Sequence, residues 1–344
     1  MQNAAPTAAV SEPVPDITVA GRRLRPSPVF DTYWRFAAAR QDAYFARLRD
    51  NGPAPTDPIL ARHRFTNCYR AADRVSQFAI HDVGYGGPQE PRDVVFRMLL
   101  FKFFNKIDTW RLLEAELGTV TWASWQPAAA RAVLDAARHA LYSPAYIIPP
   151  PRLGGTRKHH DHLLLAETMI HDGLAEKLQD AHGLANVFAL LRAYPGLGDF
   201  LAFQFSIDLN YTAVLDFSEN DFVVAGPGAR DGIRKCFGPA AHGIEDAVIA
   251  YMSETQEAHF ARLGLRFASL GGRRLHLVDC QNLFCEVDKY ARVAHPAVPS
   301  ISGRTRIKQQ YHRNGDPMPA PWFPPKWGIT EAVRAQAAAV VVPR

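Results

Sequence analysis

The chain has little cysteine: Cys68, Cys236, Cys280 and Cys285 are the four among 344 residues. They lie far apart or, for the last pair, at C-x4-C spacing with no second pair to match. Neither a disulfide framework nor a zinc site is therefore signalled, and a reducing cytosol is the simplest setting. Long apolar runs are also missing, since no stretch approaches the ~20 residues a bilayer-spanning helix needs. The segment Met1 to Pro15 is rich in Ala and Pro and lacks the basic and apolar blocks of a secretory leader. These absences predict a soluble, cytoplasmic protein with no membrane partner. There is no Gly-Lys-Ser/Thr phosphate loop and no repeat of solenoid length, which argues against a kinase P-loop or a solenoid array.

What is present is a chain long enough for a large core, 47% hydrophobic, with a net charge of +5. The basic balance is modest support for a polyanionic partner. Apolar residues recur at helical spacing through most of the sequence. From Phe30 onward, Tyr33, Phe36, Ala37, Phe45 and Leu48 fit one helix, with Asp31 as N-cap and Asn51-Gly52-Pro53 as stop. Further helices are predicted over 58–83, 91–105, 107–117, 127–140, 160–172, 174–181 and 184–193. Leu275 to Asp279 reads as a short strand, and Pro317 to Gly328 as an extended strap packed over the body. Residues 1–27 read as a disordered arm, 28–329 as one helical unit of two lobes divided near the Pro/Gly-rich 149–156, and 330–344 as a tail or terminal helix.

The segment with most chemistry is Leu190-Leu191-Arg192-Ala193-Tyr194-Pro195-Gly196-Leu197-Gly198-Asp199-Phe200. A helix that stops at Pro195-Gly196-x-Gly198 and restarts at once suits a DNA phosphate. The glycines permit a tight turn and close backbone approach, and the open amides of the second helix favour an anion. A plain turn between helices has the same pattern. Asp216, twenty positions after Gly196, lies far enough along for the second helix and a loop back towards a cleft. In enzymes that break a base–sugar bond, such a carboxylate stabilises positive charge on the sugar and orients water. An N-cap role for Asp216 fits equally, and Asp208 is its near rival.

Other clusters bear on the same substrate. Gly226, Gly228 and Arg230, with Arg234 and Lys235 behind them, suit a phosphate or pyrophosphate at a helix start, or a C-cap followed by a solvated basic face. Asp279, Gln281 and Asn282 place a carboxylate and two amides together, for reading a base edge or for capping and ion pairing. Arg304, Arg306 and Lys308, together with Arg62, Arg64, Lys102 and Lys106, could track a nucleic-acid backbone. His159, His160 and His162 are too closely spaced for a metal pair on one helix face; phosphate contact or capping is preferred to zinc, and no metal or cofactor is expected.

Several segments carry a resemblance that spans nearly the whole folded length. They are Arg64-Phe65-Thr66-Asn67, Asp73-Arg74-Val75-Ser76-Gln77, Phe101 to Lys106, Ile207-Asp208-Leu209-Asn210-Tyr211, Gly226 to Ile233, Asp279 to Asn282 and Ser302 to Gln309. In these the chain resembles the 5-hydroxymethyluracil DNA kinase helical-domain family, also called the alpha-glutamyl/putrescinyl thymine pyrophosphorylase family. The resemblance implies a mainly α fold similar to helix-hairpin-helix DNA glycosylases, and a partner in double-stranded DNA carrying modified pyrimidines. By that analogy Pro195, Gly196 and Gly198 form the hairpin, Asp216 is the catalytic aspartate, and Asp208 and Asp279 are further candidates. Asn210, Tyr211, Gln281 and Asn282 would read the base, and Tyr211, Phe217 or Trp322 would stack on it, core packing being the alternative role for each of the three.

The leading expectation is a glycosylase that flips and excises a modified pyrimidine, in a setting of anti-phage defence. Phe200 stands where bifunctional glycosylases carry a Schiff-base lysine, which favours hydrolysis without a lyase step. The alternative is a transferase that replaces pyrophosphate on activated hydroxymethyluracil with an amine. A second alternative is a reader that binds modified DNA without chemistry.

Overall fold

Proline and short polar side chains set many of the helix starts. The computed structural model describes residues 14–49, 55–145, 147–312 and 318–339. Helix α1 (Pro28–Leu48) opens with Pro28 at its first position and the Ser27 hydroxyl accepting from the Val29 amide at 3.1 Å. In α2 (Pro58–Arg62) the Asp57 carboxylate takes the Ile59 and Leu60 amides. After α3 (Arg74–Phe78), α4 (Pro91–Phe104) again starts on proline and ends at Asn105, whose left-handed φ of 48° stops the helix. Then come α5 (Ile107–Leu117), α6 (Pro127–Ala136), α7 (Lys158–His171), α8 (Leu174–Gln179), α9 (Leu184–Arg192) and α10 (Asp199–Asn210). The series ends with α11 (Pro227–Phe237), α12 (Glu245–Arg262), α13 (Leu277–Ala294) and α14 (Thr330–Ala338). The fold is mainly α, as expected, with one small sheet of two strands among the described residues.

That sheet corrects one expectation. Residues 17–24, assigned to a disordered arm, form an antiparallel hairpin of β1 (Ile17–Val19) and β2 (Arg22–Leu24), turned by Ala20-Gly21. Val19 and Leu24 are buried, which ties the hairpin to the body. The helix predicted over 58–83 is another correction, because it breaks into α2, a 3-10 turn at Arg70–Ala72, α3 and a π-helical turn at Ala79–Gly84. The cause lies between them: the Asp73 carboxylate accepts the Asn67 amide at 2.8 Å, and the Asn67 side chain donates to the Ala72 carbonyl at 2.8 Å. Such local bonds offer the backbone an alternative to helix. Asp31 is not a cap but pairs with Arg262. The predicted stop at Asn51-Gly52-Pro53 lies outside the described residues. Leu275 to Asp279 is not a strand; His276 and Asp279 form a capping box that opens α13.

Two hydrophobic cores meet along helix α10. The first gathers α1, α11, α12, α13 and α14, from both ends of the chain; the second gathers α4 to α9. Helix α10 runs between them, with Phe203, Ile207 and Tyr211 in the first core and Leu201, Ala202, Phe205 and Leu209 in the second. Its apolar residues therefore need no single stripe, because the helix is covered on both sides. Beside the Pro/Gly-rich 149–156, Ile148 is in the second core and Leu153 packs against it. The chain passes between the cores near residues 72–78 and along α10. Among the described residues no helix is long and apolar enough to cross a membrane.

Candidate functional site

The hairpin between α9 and α10 has the predicted shape. Gly196 adopts φ 80°, a left-handed conformation in which a Cβ would be strained, and a Cβ there would also sit 3.4 Å from Pro151. Leu197 is buried and anchors the turn, while Pro195, Gly198 and Asp199 are exposed. No side chain among the described residues caps α10, which leaves the amides of its first turn open. Asp199 occupies that turn and is met by Arg192 at 2.6 Å, which moderates its repulsion of an incoming anion.

One end of α10 projects into a buried charge network. Gln204 and Asp208 are one helical turn apart, so both face Arg70 on the 3-10 turn. Arg70 holds Asp208 with two bonds, 2.7 and 2.8 Å, and the Gln204 side-chain oxygen with a third at 2.9 Å. Lys102, from α4, reaches the same Asp208 carboxylate at 2.9 Å and Asn105 at 2.8 Å. Burial alone would raise the Asp208 pKa, but Arg70 and then Lys102 outweigh it and hold the carboxyl below its ordinary value. Burial pushes the Lys102 pKa the other way, down. The Arg70 amide also donates to Asp279 at 3.0 Å, and the second Asp279 oxygen accepts the His276 amide at 3.1 Å. Burial, then the nearby Glu219, push the Asp279 carboxyl up to about 6 in spite of these bonds.

A second group of polar side chains adjoins the first. Arg273 reaches Glu219 at 3.0 Å and His276 Nδ1 at 2.8 Å, and its guanidinium lies 3.8 Å from the centroid of the Trp327 ring. The Tyr211 ring meets Trp327 edge-on, and its buried hydroxyl has no hydrogen-bond partner among the described residues. Lys326, delivered by the C-terminal strap, donates to the carbonyls of Asn210 at 2.5 Å, Thr212 at 3.0 Å and Leu215, and lies 3.7 Å from Asp216. It thereby caps the C-terminal end of α10 with a fixed positive charge. Burial lowers its pKa, which Asp216 and Glu219 partly restore. Asn210 closes the same loop from within, accepting the Phe217 amide and donating to the Phe217 carbonyl, both at 2.9 Å.

The expected site residues thus separate by environment. Asp216 sits on an exposed loop held by Lys326 and Asn210, with 82% of its side chain accessible. Asp208 and Asp279 are buried and engaged. Asn282 donates to the Asn67 carbonyl at 2.9 Å and to the Thr66 hydroxyl at 3.2 Å, and Gln281 is buried beside Gly226. Tyr211 is fully buried, Phe217 packs against both cores, and Trp322 packs edge-on against His81 and Tyr85. Gly226 and Gly228 face α10 and α13 so closely that a Cβ would strike the Phe200 ring or the Cys285 sulfur. Arg230, one turn further on, is exposed.

Arg304, Arg306 and Lys308 are exposed on an extended segment that runs antiparallel to residues 62–64. The Arg64 amide donates to Gln309 at 3.1 Å and the Tyr311 amide to Arg62 at 3.0 Å, which makes a basic ribbon with Arg62 and Arg64. From that ribbon the chain proceeds through Thr66 and Asn67 to Arg70. Sequence reasoning missed Arg70, Gln204, Glu219, Arg273, His276 and Lys326. Arg70, Arg273, His276 and Lys326 are brought in from distant segments, Gln204 and Glu219 lie near expected residues, and only burial of charge or amide marks them.

No curated protein and no solved structure matches the chain. One family model does, that of the 5-hmdU DNA kinase helical domain, and it takes in the segment that leads to Arg70, all of α10, the Asp216 loop, α11 and α13. With residues 27–300 matched, the chain belongs to the 5-hmdU DNA kinase helical-domain family.

Proposed function

We propose that this protein is a DNA-base hypermodification enzyme that exchanges pyrophosphate on an activated 5-hydroxymethyluracil for an amine. The observation that carries this reading is the family match over residues 27–300. In the reaction the amine nitrogen bonds to the methylene carbon, the carbon–oxygen bond to pyrophosphate breaks with its electron pair, and a proton leaves the amine. The exposed Asp216 is the carboxylate best able to take that proton. Asp208 already neutralises two cations, and Asp279 accepts a backbone amide on each oxygen. Arg230 supplies an exposed cation near the start of α11 for the leaving pyrophosphate. The basic ribbon of Arg62, Arg64, Arg304, Arg306 and Lys308 follows the DNA backbone, and the open first turn of α10 takes one phosphate.

A second reading, base excision, is favoured by one observation: Asp216 follows the hairpin and the whole of α10, on a loop pinned from two sides. The two chemistries leave different products. Duplex DNA carrying hydroxymethyluracil, or its pyrophosphorylated form, is incubated with the full chain and an amine, and the nucleosides are then analysed by mass and the strand for abasic sites. The transferase gives an amine-sized mass gain only on the activated base and leaves no abasic sites. Abasic sites with release of free base would replace this reading by excision, and unaltered DNA that is nonetheless bound would replace it by a reader. Asp216→Asn lowers the transfer rate by about 10²-fold or more if the carboxylate is the general base; full activity in that variant would remove Asp216 from the mechanism.

A further inference from the structure

Outside the buried network, α6 and α7 bring together three groups that sequence spacing does not connect. Asp135, near the end of α6, points at the consecutive His159 and His160 in the first turn of α7. His159 Nε2 is 2.8 Å from Asp135 Oδ1, and His160 Nε2 is 3.1 Å from both carboxylate oxygens. The three ligand atoms all lie within 4.8 Å of one another. Adjacent residues on a helix normally diverge, but here the two rings meet edge-on with centroids 4.7 Å apart and present their Nε2 atoms to one carboxylate. Behind the cluster, His160 Nδ1 is 3.1 Å from the Thr156 hydroxyl, which fixes the ring and leaves Nε2 to face Asp135. His162 takes no part: it stacks on Phe103 and bonds Tyr142 and the Pro149 carbonyl.

We propose that Asp135, His159 and His160 bind a divalent first-row transition ion of the zinc type, which clips the end of α6 to the start of α7. Two imidazole nitrogens and one carboxylate oxygen are a zinc-type donor set, completed by water in the fourth position. Bonds of about 2.0–2.1 Å in a tetrahedral site put ligand atoms about 3.3 Å apart, so the two histidine–carboxylate separations need to open by only a few tenths of an ångström. Asp135 is partly exposed, which gives an ion access, and His159 is buried, which fixes one ligand. Arg157 is the competitor: its guanidinium is 3.0 Å from Asp135 Oδ1 but 57% exposed, so it can swing into water. The clip would close the base of the long connection 137–157, whose Pro149 to Pro151 stretch backs Gly196 in the hairpin.

The test uses the full chain, stripped with a chelator and titrated calorimetrically with Zn²⁺, with Mg²⁺ as control. One equivalent of Zn²⁺ binds, raises the unfolding temperature and slows hydrogen exchange in residues 137–157, while Mg²⁺ does none of these. His160→Ala and Asp135→Asn each weaken binding at least tenfold, and Arg157→Gln tightens it by removing a cation from the ligand carboxylate. The proposal fails if the wild type takes up no more Zn²⁺ than a His159→Ala/His160→Ala double variant, or if Arg157→Gln leaves the affinity unchanged.

Discussion

Two glycine clusters in this chain share a pattern and differ in purpose. Pro195 to Gly198 and Gly226 to Gly232 each place glycines and a proline at the start of a helix, and each reads as a phosphate cradle. In the first, Gly196 is needed for its positive φ, and Gly198 has nothing among the described residues within 4 Å of where a Cβ would be. In the second, the glycines have ordinary helical or extended backbone and are needed for closeness. A Cβ on Gly232 would lie 2.1 Å from the Phe284 carbonyl oxygen, one on Gly228 2.1 Å from the Cys285 sulfur, and one on Gly226 2.7 Å from the Phe200 ring. Missing side chains therefore bring α11 against α13 in one place and leave backbone amides uncovered in the other. Gly198 at the mouth of α10 is exposed and Gly226 at the mouth of α11 is buried, so the first is the more open to a ligand.

Substitutions can break this contrast at its strongest point first. Gly232→Ala sets a methyl against backbone that cannot rotate away, so α11 must move off α13. Overpacking of this kind costs about 3 kcal/mol, after the ~1 kcal/mol that alanine gains over glycine in a helix. A large fall in the urea midpoint checks it, and a variant as stable as the wild type would show that α11 and α13 pack more loosely than described. Gly228→Ala meets a side chain instead, so its cost of about 1–2 kcal/mol should be largely recovered in the double variant with Cys285→Ala. A double-mutant cycle on denaturation midpoints measures that coupling; strict additivity of the two changes would mean that the two positions do not touch.

The same contrast explains what can be read without coordinates. The hairpin is legible because its glycines are flanked on both sides by apolar helices, and local sequence suffices to specify a turn. The mainly helical fold follows from periodicity for the same reason. The purpose of Gly226 and Gly228 is not legible, since a glycine spaced for a neighbouring helix looks like one spaced for an anion, and Phe284 and Cys285 lie some fifty residues further on. The network around Asp208 is hidden for a related reason. Its cations come from positions 70 and 102 and its amide from 204, and nothing local distinguishes a buried arginine from a solvated one. The place of Asp216 on a loop beyond α10 can be read from spacing, but the strap that brings Lys326 to that loop can be foreseen only as a packed segment.

The smallest structural change sharpens the contrast most. Gly198 has φ −71° and ψ 172°, an extended conformation that alanine adopts freely. As an N-cap, alanine costs a few tenths of a kcal/mol or somewhat more, while it removes a similar amount of freedom from the unfolded chain. Gly198→Ala is therefore expected to leave the unfolding midpoint nearly unchanged. A methyl group at the mouth of α10 nonetheless keeps a phosphate oxygen from the amides, and a loss of about 1.4 kcal/mol there would weaken DNA binding tenfold. Amides add no mobile cation, so the slope of log affinity against log salt should stay close to that of the wild type. Arg306→Ala, on the ribbon, should instead lower that slope by about 0.9, because one phosphate is no longer neutralised. Wild-type affinity in Gly198→Ala would mean that the open amides of α10 hold no phosphate, and that the ribbon alone tracks the DNA.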